Sequence, residues 1–268
     1  MSKIVLITGS NTGIGLEIVK ALAGASKPYT ILMGGRTPQK VQDAISTVQK
    51  TLPSTSSTFT PIQVDIESDG SIEQAFAEVR SKYGKLDILV NNAGAQFDQQ
   101  LAAGKLTTLS ARDMWNKTWN VNTTGTHILT STFAPLLLQS ADPRLLFITS
   151  GTSTLAGTEN PAIPVNKVPP KGWPKTGFSV PAYRSAKAGL NMLMREWYRW
   201  LKEDGVKVFA ISPGYLATGL GGDPDFSKRM GAQDPSSSSA GPFIRSVIEG
   251  QRDADVGKVI NKDGIQPW

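Results

Sequence analysis

The chain has 268 residues, of which 39% are hydrophobic, and a formal net charge of +6. It contains no cysteine and a single histidine, His127, which excludes disulfides, thiolate nucleophiles, cysteine-held metals and two-histidine metal sites. Its basic residues form no long run, so nucleic acid is not an expected partner, and no stretch approaches the ~20 apolar residues of a membrane span.

Met1-Ser2-Lys3 leads into the apolar run Ile4–Ile7, too short for the apolar stretch of a signal peptide, and a soluble cytoplasmic protein is expected. In chain order, strands are predicted at Ile4–Ile7, Thr30–Met33, Phe59–Val64 and Leu86–Val90. Between them Leu16–Ala23, Gln39–Leu52 and Ser71–Tyr83 carry apolar residues at the three and four spacings of amphipathic helices. A long helical region follows from Ser110 to Gln139, then strand Leu145–Thr149, helix Ala182–Glu203 and strand Val206–Ile211. This alternation predicts an α/β protein. With right-handed crossovers it winds into a single-domain, doubly wound (Rossmann) parallel sheet of about seven strands, helices on both faces, spanning residues 1–268. Two stretches break the rhythm without looking like linkers. Residues 151–182 form a proline-rich insertion, and residues 219–241, with paired glycines and the run Ser236–Ser239, read as a mobile substrate loop.

The segment Thr8-Gly9-Ser10-Asn11-Thr12-Gly13-Ile14-Gly15 sits directly between the first strand and the first helix. Glycines there allow a tight turn and close backbone approach to a pyrophosphate, with the helix N-terminus supplying amide donors. An NAD binder places a carboxylate at the end of the second strand to hold the ribose hydroxyls, but here that strand ends Gly34-Gly35-Arg36. Arg36 offers a planar fork suited to a 2′-phosphate, with Asn11 as an added donor, so NADP(H) is the expected coenzyme. The alternative is that Arg36 is a solvated loop charge.

The spacing Gly9-x3-Gly13-x-Gly15, Asn91-Asn92-Ala93-Gly94, Asn122-Thr-Thr-Gly125, Ser150 at the end of the fifth strand, Tyr183-x3-Lys187, and Pro213-Gly214 with Thr218 resemble the short-chain dehydrogenase/reductase family. The matches run in the family's order from residue 8 to residue 218. Lys171-Gly172-Trp173-Pro174 and the ending Gln266-Pro267-Trp268 resemble its NADPH-dependent carbonyl reductase branch, which carries a comparable insertion.

The resemblance implies reduction of a small-molecule ketone or aldehyde, with Tyr183 as general acid. A free phenol titrates near ~10, and an ammonium one helical turn away, on Lys187, is expected to lower that value toward the working pH. Lys187 would also hold the nicotinamide ribose. Ser150 would polarise the carbonyl, the alternative being a turn cap. Asn122 would hold a proton-relaying water; Asn120 competes for this role but lacks a glycine three residues on. Asp65 would meet the adenine amino group or else cap a helix. Asn91 and Gly94 would border the adenosine ribose, Asn91 otherwise being a buried structural hydrogen-bonder. Pro213, Gly214, Leu216 and Thr218 would border the nicotinamide.

Tyr198-x3-Lys202 repeats the spacing about 22 Å further along the same helix and is read as a helix face. His127 is read as a packed or surface residue. Substrate-lining residues are expected from Gln96–Lys105, the insertion and 219–241, with Trp173 and Phe178 as an apolar wall. Trp115, Trp119, Trp197 and Trp200 fit either a core or a subunit interface, so monomer and homo-oligomer both stay open. An alcohol dehydrogenase or natural-product tailoring ketoreductase of the same family, and a non-catalytic NADP(H) sensor, are the alternative functions.

Overall fold

The computed structural model describes residues 2–268. The continuous apolar run Ile4–Ile7 opens the chain as β1 (Lys3–Thr8). α1 (Gly13–Ala23), β2 (Tyr29–Gly35), α2 (Pro38–Thr51), β3 (Thr58–Gln63), α3 (Asp69–Tyr83) and β4 (Ile88–Asn91) follow. A short α4 (Asp98–Ala102) precedes α5 (Ala111–Trp119), a π-helical turn over Asn120–Thr124, and α6 (Gly125–Leu137). β5 (Arg144–Ile148), α7 (Pro181–Leu201), β6 (Lys207–Ile211), α8 (Pro224–Arg229), α9 (Ala240–Ile248), β7 (Val259–Asn261) and β8 (Gly264–Ile265) complete the chain.

The strands form one eight-stranded sheet in the order β3-β2-β1-β4-β5-β6-β7-β8. Every pairing is parallel except β7 with β8. The expected doubly wound sheet is therefore present, with the short antiparallel β8 added at one edge. Alternate strand residues feed two cores: Ile4, Leu6, Leu145 and Phe147 pack under α3, α6 and α7, while Val5, Ile7, Leu146 and Ile148 pack under α1, α2 and α9. The order reverses between β1 and β4, which opens the ligand-binding crevice of such sheets at the strands' carboxyl ends.

Three stretches carry local structure beyond what the sequence pattern shows. The Ser110–Gln139 region is not one regular helix but two, joined by the π turn. The proline-rich stretch 151–182 holds 3-10 turns at Gly151–Ser153, Ala156–Glu159 and Pro164–Asn166. Residues 219–241 likewise contain α8 and two 3-10 turns, because Asp223 and Asp234 each cap a turn that starts with proline. Among the described residues no helix is long and apolar enough to cross a membrane.

Candidate active site

The crevice begins at the glycine turn. Gly9 and Gly13 have φ of 62° and 56°, a left-handed conformation that other residues adopt only at a cost. Gly15 has no room for a side chain: a Cβ there would collide with the Gly9 carbonyl and stand 2.6 Å from Asn92 Nδ2. That amide is fixed by donating to the Thr8 and Gly9 carbonyls at 2.8 and 3.1 Å. Ile14 anchors the start of α1 in the core beneath. Thr12, the N-cap of α1, makes no side-chain cap bond, and the first turn carries no acidic residue. The first amides of α1 therefore have no side-chain acceptor of their own.

At the end of β2, Arg36 is 70% exposed, with Glu67 at 3.9 Å. Glu67 also pairs with Lys117 at 3.0 Å. Asn11 reaches the same place, its Oδ1 lying 3.4 Å from where a Gly35 Cβ would be. The next helix, α2, starts with an uncapped N-terminus and no acidic residue in its first turn. Asp65 lies just past β3 and takes part in a local turn: its Oδ1 accepts from the Glu67 amide at 3.1 Å. Ser68, not Asp65, caps α3.

The π turn places Asn122 fully buried at the crevice, while Asn120 is only half-buried. Asn122 Nδ2 donates to the Thr118 and Ala95 carbonyls, both at 2.8 Å, and the Ala95 amide donates to Asn122 Oδ1 at 3.3 Å. A π turn inside a longer helix commonly marks a functional position. Gly94 lies between two of the expected residues: a Cβ there would stand 2.9 Å from Asn122 Oδ1 and 3.4 Å from Lys187 Nζ. Asn91 is buried, donating to Thr130 Oγ1 at 2.9 Å, while its Oδ1 has no partner.

Tyr183 and Lys187 share one face of α7 and are 8% and 4% exposed. Lys187 Nζ is 5.9 Å from the Tyr183 ring centre and donates to the Ile148 carbonyl at 2.9 Å. Burial pushes the Tyr183 phenol up to about 12, opposed by a hydrogen bond with Ser150. Burial likewise pushes the Lys187 ammonium down to about 8. The expected depression of the tyrosine is thus reversed, because desolvation of the phenolate outweighs the opposing hydrogen bond. Ser150 follows β5, and its Oγ accepts from the Thr152 amide at 3.1 Å, as a turn cap does.

On the far wall, Gly214 has φ of 101° after Pro213. Leu216 bridges to Gln233. The Thr218 methyl lies 3.3 Å from where a Gly13 Cβ would be, so this wall closes against the glycine turn. Trp173 is 87% exposed and forms no wall, whereas Phe178 stacks on Phe226 at 6.4 Å and so joins the insertion to α8. Tyr198 packs against Arg195 and Gly257 as part of a helix face. His127 packs 5.6 Å from Trp197. Trp197 is buried, while Trp115, Trp119 and Trp200 are exposed.

Sequence reasoning missed Gln266. Its Oε1 accepts from the Ser212 hydroxyl at 2.6 Å, and its Nε2 donates to the Ser150 carbonyl at 3.2 Å. The buried amide thereby ties the chain after β5 to the chain after β6. The Gln266-Pro267-Trp268 ending was the one signal that marked it.

A doubly wound sheet with a glycine turn and a Ser-Tyr-Lys cluster at its carboxyl edge defines a class of dinucleotide-binding oxidoreductase folds. The short chain dehydrogenase family model matches residues 3–162 and 174–225. The chain is 48% identical to the short-chain dehydrogenase/reductase eupG of a Phoma species over 99% of this chain and 97% of that protein. It is 44% identical to the short-chain dehydrogenase/reductase tropE of Talaromyces stipitatus, over 99% and 98%. Among solved structures, an NADPH-bound carbonyl reductase from chicken fatty liver shares the fold, with a TM-score of 0.76, 23% identity, and coverage of 100% and 99%. The chain belongs to the short-chain dehydrogenase/reductase family, a family of oxidoreductases.

Proposed function

We propose that the protein reduces a ketone or aldehyde to an alcohol, using NADPH and Tyr183 as the general acid. The observation that carries this reading is the convergence, from three separate elements, of Asn122, Ser150, Tyr183 and Lys187 at the crevice. The residues present fit a dinucleotide. Gly15 and Gly94 leave spaces that a side chain would fill, the α1 N-terminus is open to an anion, and Asn91 Oδ1 is a buried acceptor with no partner. Gly9, Gly13, Ile14 and Gly15 would hold the pyrophosphate side, Arg36 and Asn11 the 2′-phosphate, with Asp65, Asn91 and Gly94 along the adenosine. Tyr183, Lys187, Pro213, Gly214, Leu216 and Thr218 would hold the nicotinamide end.

When bound, the reduced nicotinamide supplies the hydride. The Tyr183 phenol, held at about 12, keeps its proton at neutral pH, which is the state a general acid requires. It gives that proton to the substrate oxygen as negative charge develops there. Ser150 donates to the same oxygen and holds it against the phenol. Lys187, once charged, favours the phenolate left behind, and Asn122, across Gly94, leads the replacement proton toward it. The insertion and residues 219–241, joined at Phe178 and Phe226, would enclose the substrate.

Arg36 and the open N-terminus of α2 support NADPH over NADH. Arg36→Asp is expected to raise the KM for NADPH by about tenfold to hundredfold, the worth of a charge-assisted hydrogen bond, and to leave the KM for NADH unchanged or lower. Equal effects on both coenzymes would remove Arg36 from the site. The overall activity is tested by loss of NADPH absorbance with a panel of dicarbonyls, quinones and ketones. No consumption with any of them, despite measurable NADPH binding, would favour a sensor over an enzyme.

A further inference from the structure

α7 carries the Tyr183–Lys187 pair, yet its own sequence gives its start little support. Val180, at the N-cap, offers no side-chain acceptor, and Pro181 has no N–H. The preceding stretch is exposed, with Gly177 at φ of 109°. The first donors of α7 are instead satisfied from a distant element. The Ala182 amide donates to Asp98 Oδ1 at 2.9 Å, and the Tyr183 amide donates to Asp98 Oδ2 at 3.1 Å. The next amide, Arg184, donates to the Val180 carbonyl at 3.0 Å, so Asp98 completes the first turn.

Asp98 is 6% exposed, and among the described residues no cation lies within ion-pairing distance of it. A buried carboxylate without a cation is costly, and it persists only where donors or a helix dipole hold it. Burial pushes its carboxyl up, and the two α7 amides are the leading influences in the other direction. The segment that carries Asp98 is itself fixed a few residues earlier, at Ala95, by both hydrogen bonds to Asn122.

We propose that Asp98 is the positioning residue of Tyr183: its carboxylate is the N-cap that α7 lacks, and residues 95–98 form a strut from Asn122 to the general acid. This inference rests on the reading of Tyr183 as the general acid. Both carboxylate oxygens of Asp98 are taken up by the α7 amides. Asp98 acts by holding the Tyr183 backbone at the start of α7, and with it the position of the phenol. A displacement of the general acid by about 1 Å is enough to cost on the order of a hundredfold in rate.

The test measures kcat and the NADPH Kd for Asp98→Ala, Asp98→Asn and the double variant Asp98→Ala/Val180→Asp. Asp98→Ala is expected to lower kcat by about tenfold to hundredfold while NADPH affinity is unchanged, because the glycine turn is untouched. Asp98→Asn keeps one acceptor and turns an NH2 toward the other amide, so it is expected to fall between wild type and Asp98→Ala. Val180→Asp places a carboxylate at the N-cap itself, within reach of the same amides, and is expected to restore most of the lost kcat. That rescue distinguishes positioning from a general loss of packing. Unchanged kcat in Asp98→Asn and Asp98→Ala, or a loss of kcat that Val180→Asp does not restore, would overturn the proposal. Failure of the underlying reading is seen separately, as retained turnover in Tyr183→Phe.

Discussion

Replacing Tyr183 by phenylalanine is expected to lower kcat by about 10²- to 10⁴-fold, the contribution of a positioned general acid, without weakening NADPH binding. The substitution removes one oxygen and keeps the ring, which is buried at the start of α7. Ser150 keeps its bond to the Thr152 amide, so the turn after β5 stays in place. Lys187 keeps its bond to the Ile148 carbonyl. Nothing in the glycine turn contacts the lost hydroxyl, so a fall in kcat at constant NADPH affinity isolates the proton transfer. Steady-state rates together with coenzyme fluorescence titration decide the matter. Near-normal turnover would assign the proton to another group.

Lys187→Met is expected to lower kcat by at least about a hundredfold and also to change how stability depends on pH. Burial holds the Lys187 ammonium near 8, against an ordinary value of 10.5. Between those two values the unfolded chain binds a proton that the folded protein does not, so stability rises with pH across the window. Below about 8 the cost is fully present, on the order of 3 kcal/mol by linkage. Methionine removes that cost but leaves the Ile148 carbonyl without its donor, a loss of about 1–3 kcal/mol, so the net change at neutral pH is small. The slope is the clearer signal: wild type gains stability from pH 8 to 10, and the variant lacks that gain. The window stops at 10 because above it the buried Tyr183 phenol, at about 12 against 10.0, begins to lower stability instead. Denaturant unfolding at several pH values measures both chains. A parallel slope in the variant would show that Lys187 is not the group responsible.

These effects arise where the sequence was most legible. The glycine turn could be recognised because Gly9 and Gly13 need left-handed backbone, which other residues adopt only at a cost, and Gly15 needs the absence of a Cβ, which no other residue offers. The parallel sheet was legible because β1, β4 and β5 are buried on both faces and so read as continuous apolar runs. The π turn was not, since it adds one residue to a helical turn and no residue type in Asn120–Thr124 marks the change. β7 and β8 were missed because they are only three and two residues long.

The supports of the site were hidden for a different reason. Asp98 meets the Tyr183 amide across 85 residues of chain, and Gln266 meets the Ser150 carbonyl across 116. Spacing rules describe neighbours along an element and say nothing of such partners. The tyrosine's protonation was also misjudged. The sequence displays the lysine one turn away, but the burial that dominates both groups is a property of the assembled crevice. Trp173 was expected to form a wall on composition alone, and it projects outward because no element of the insertion packs over it.

The most direct test of the account is a crystal structure with NADP+ bound. The nicotinamide ring is expected beside Tyr183 and Ser150, with Lys187 on its ribose and the 2′-phosphate against Arg36. A ring lying elsewhere in the crevice, with the phenol turned from it, would contradict the account.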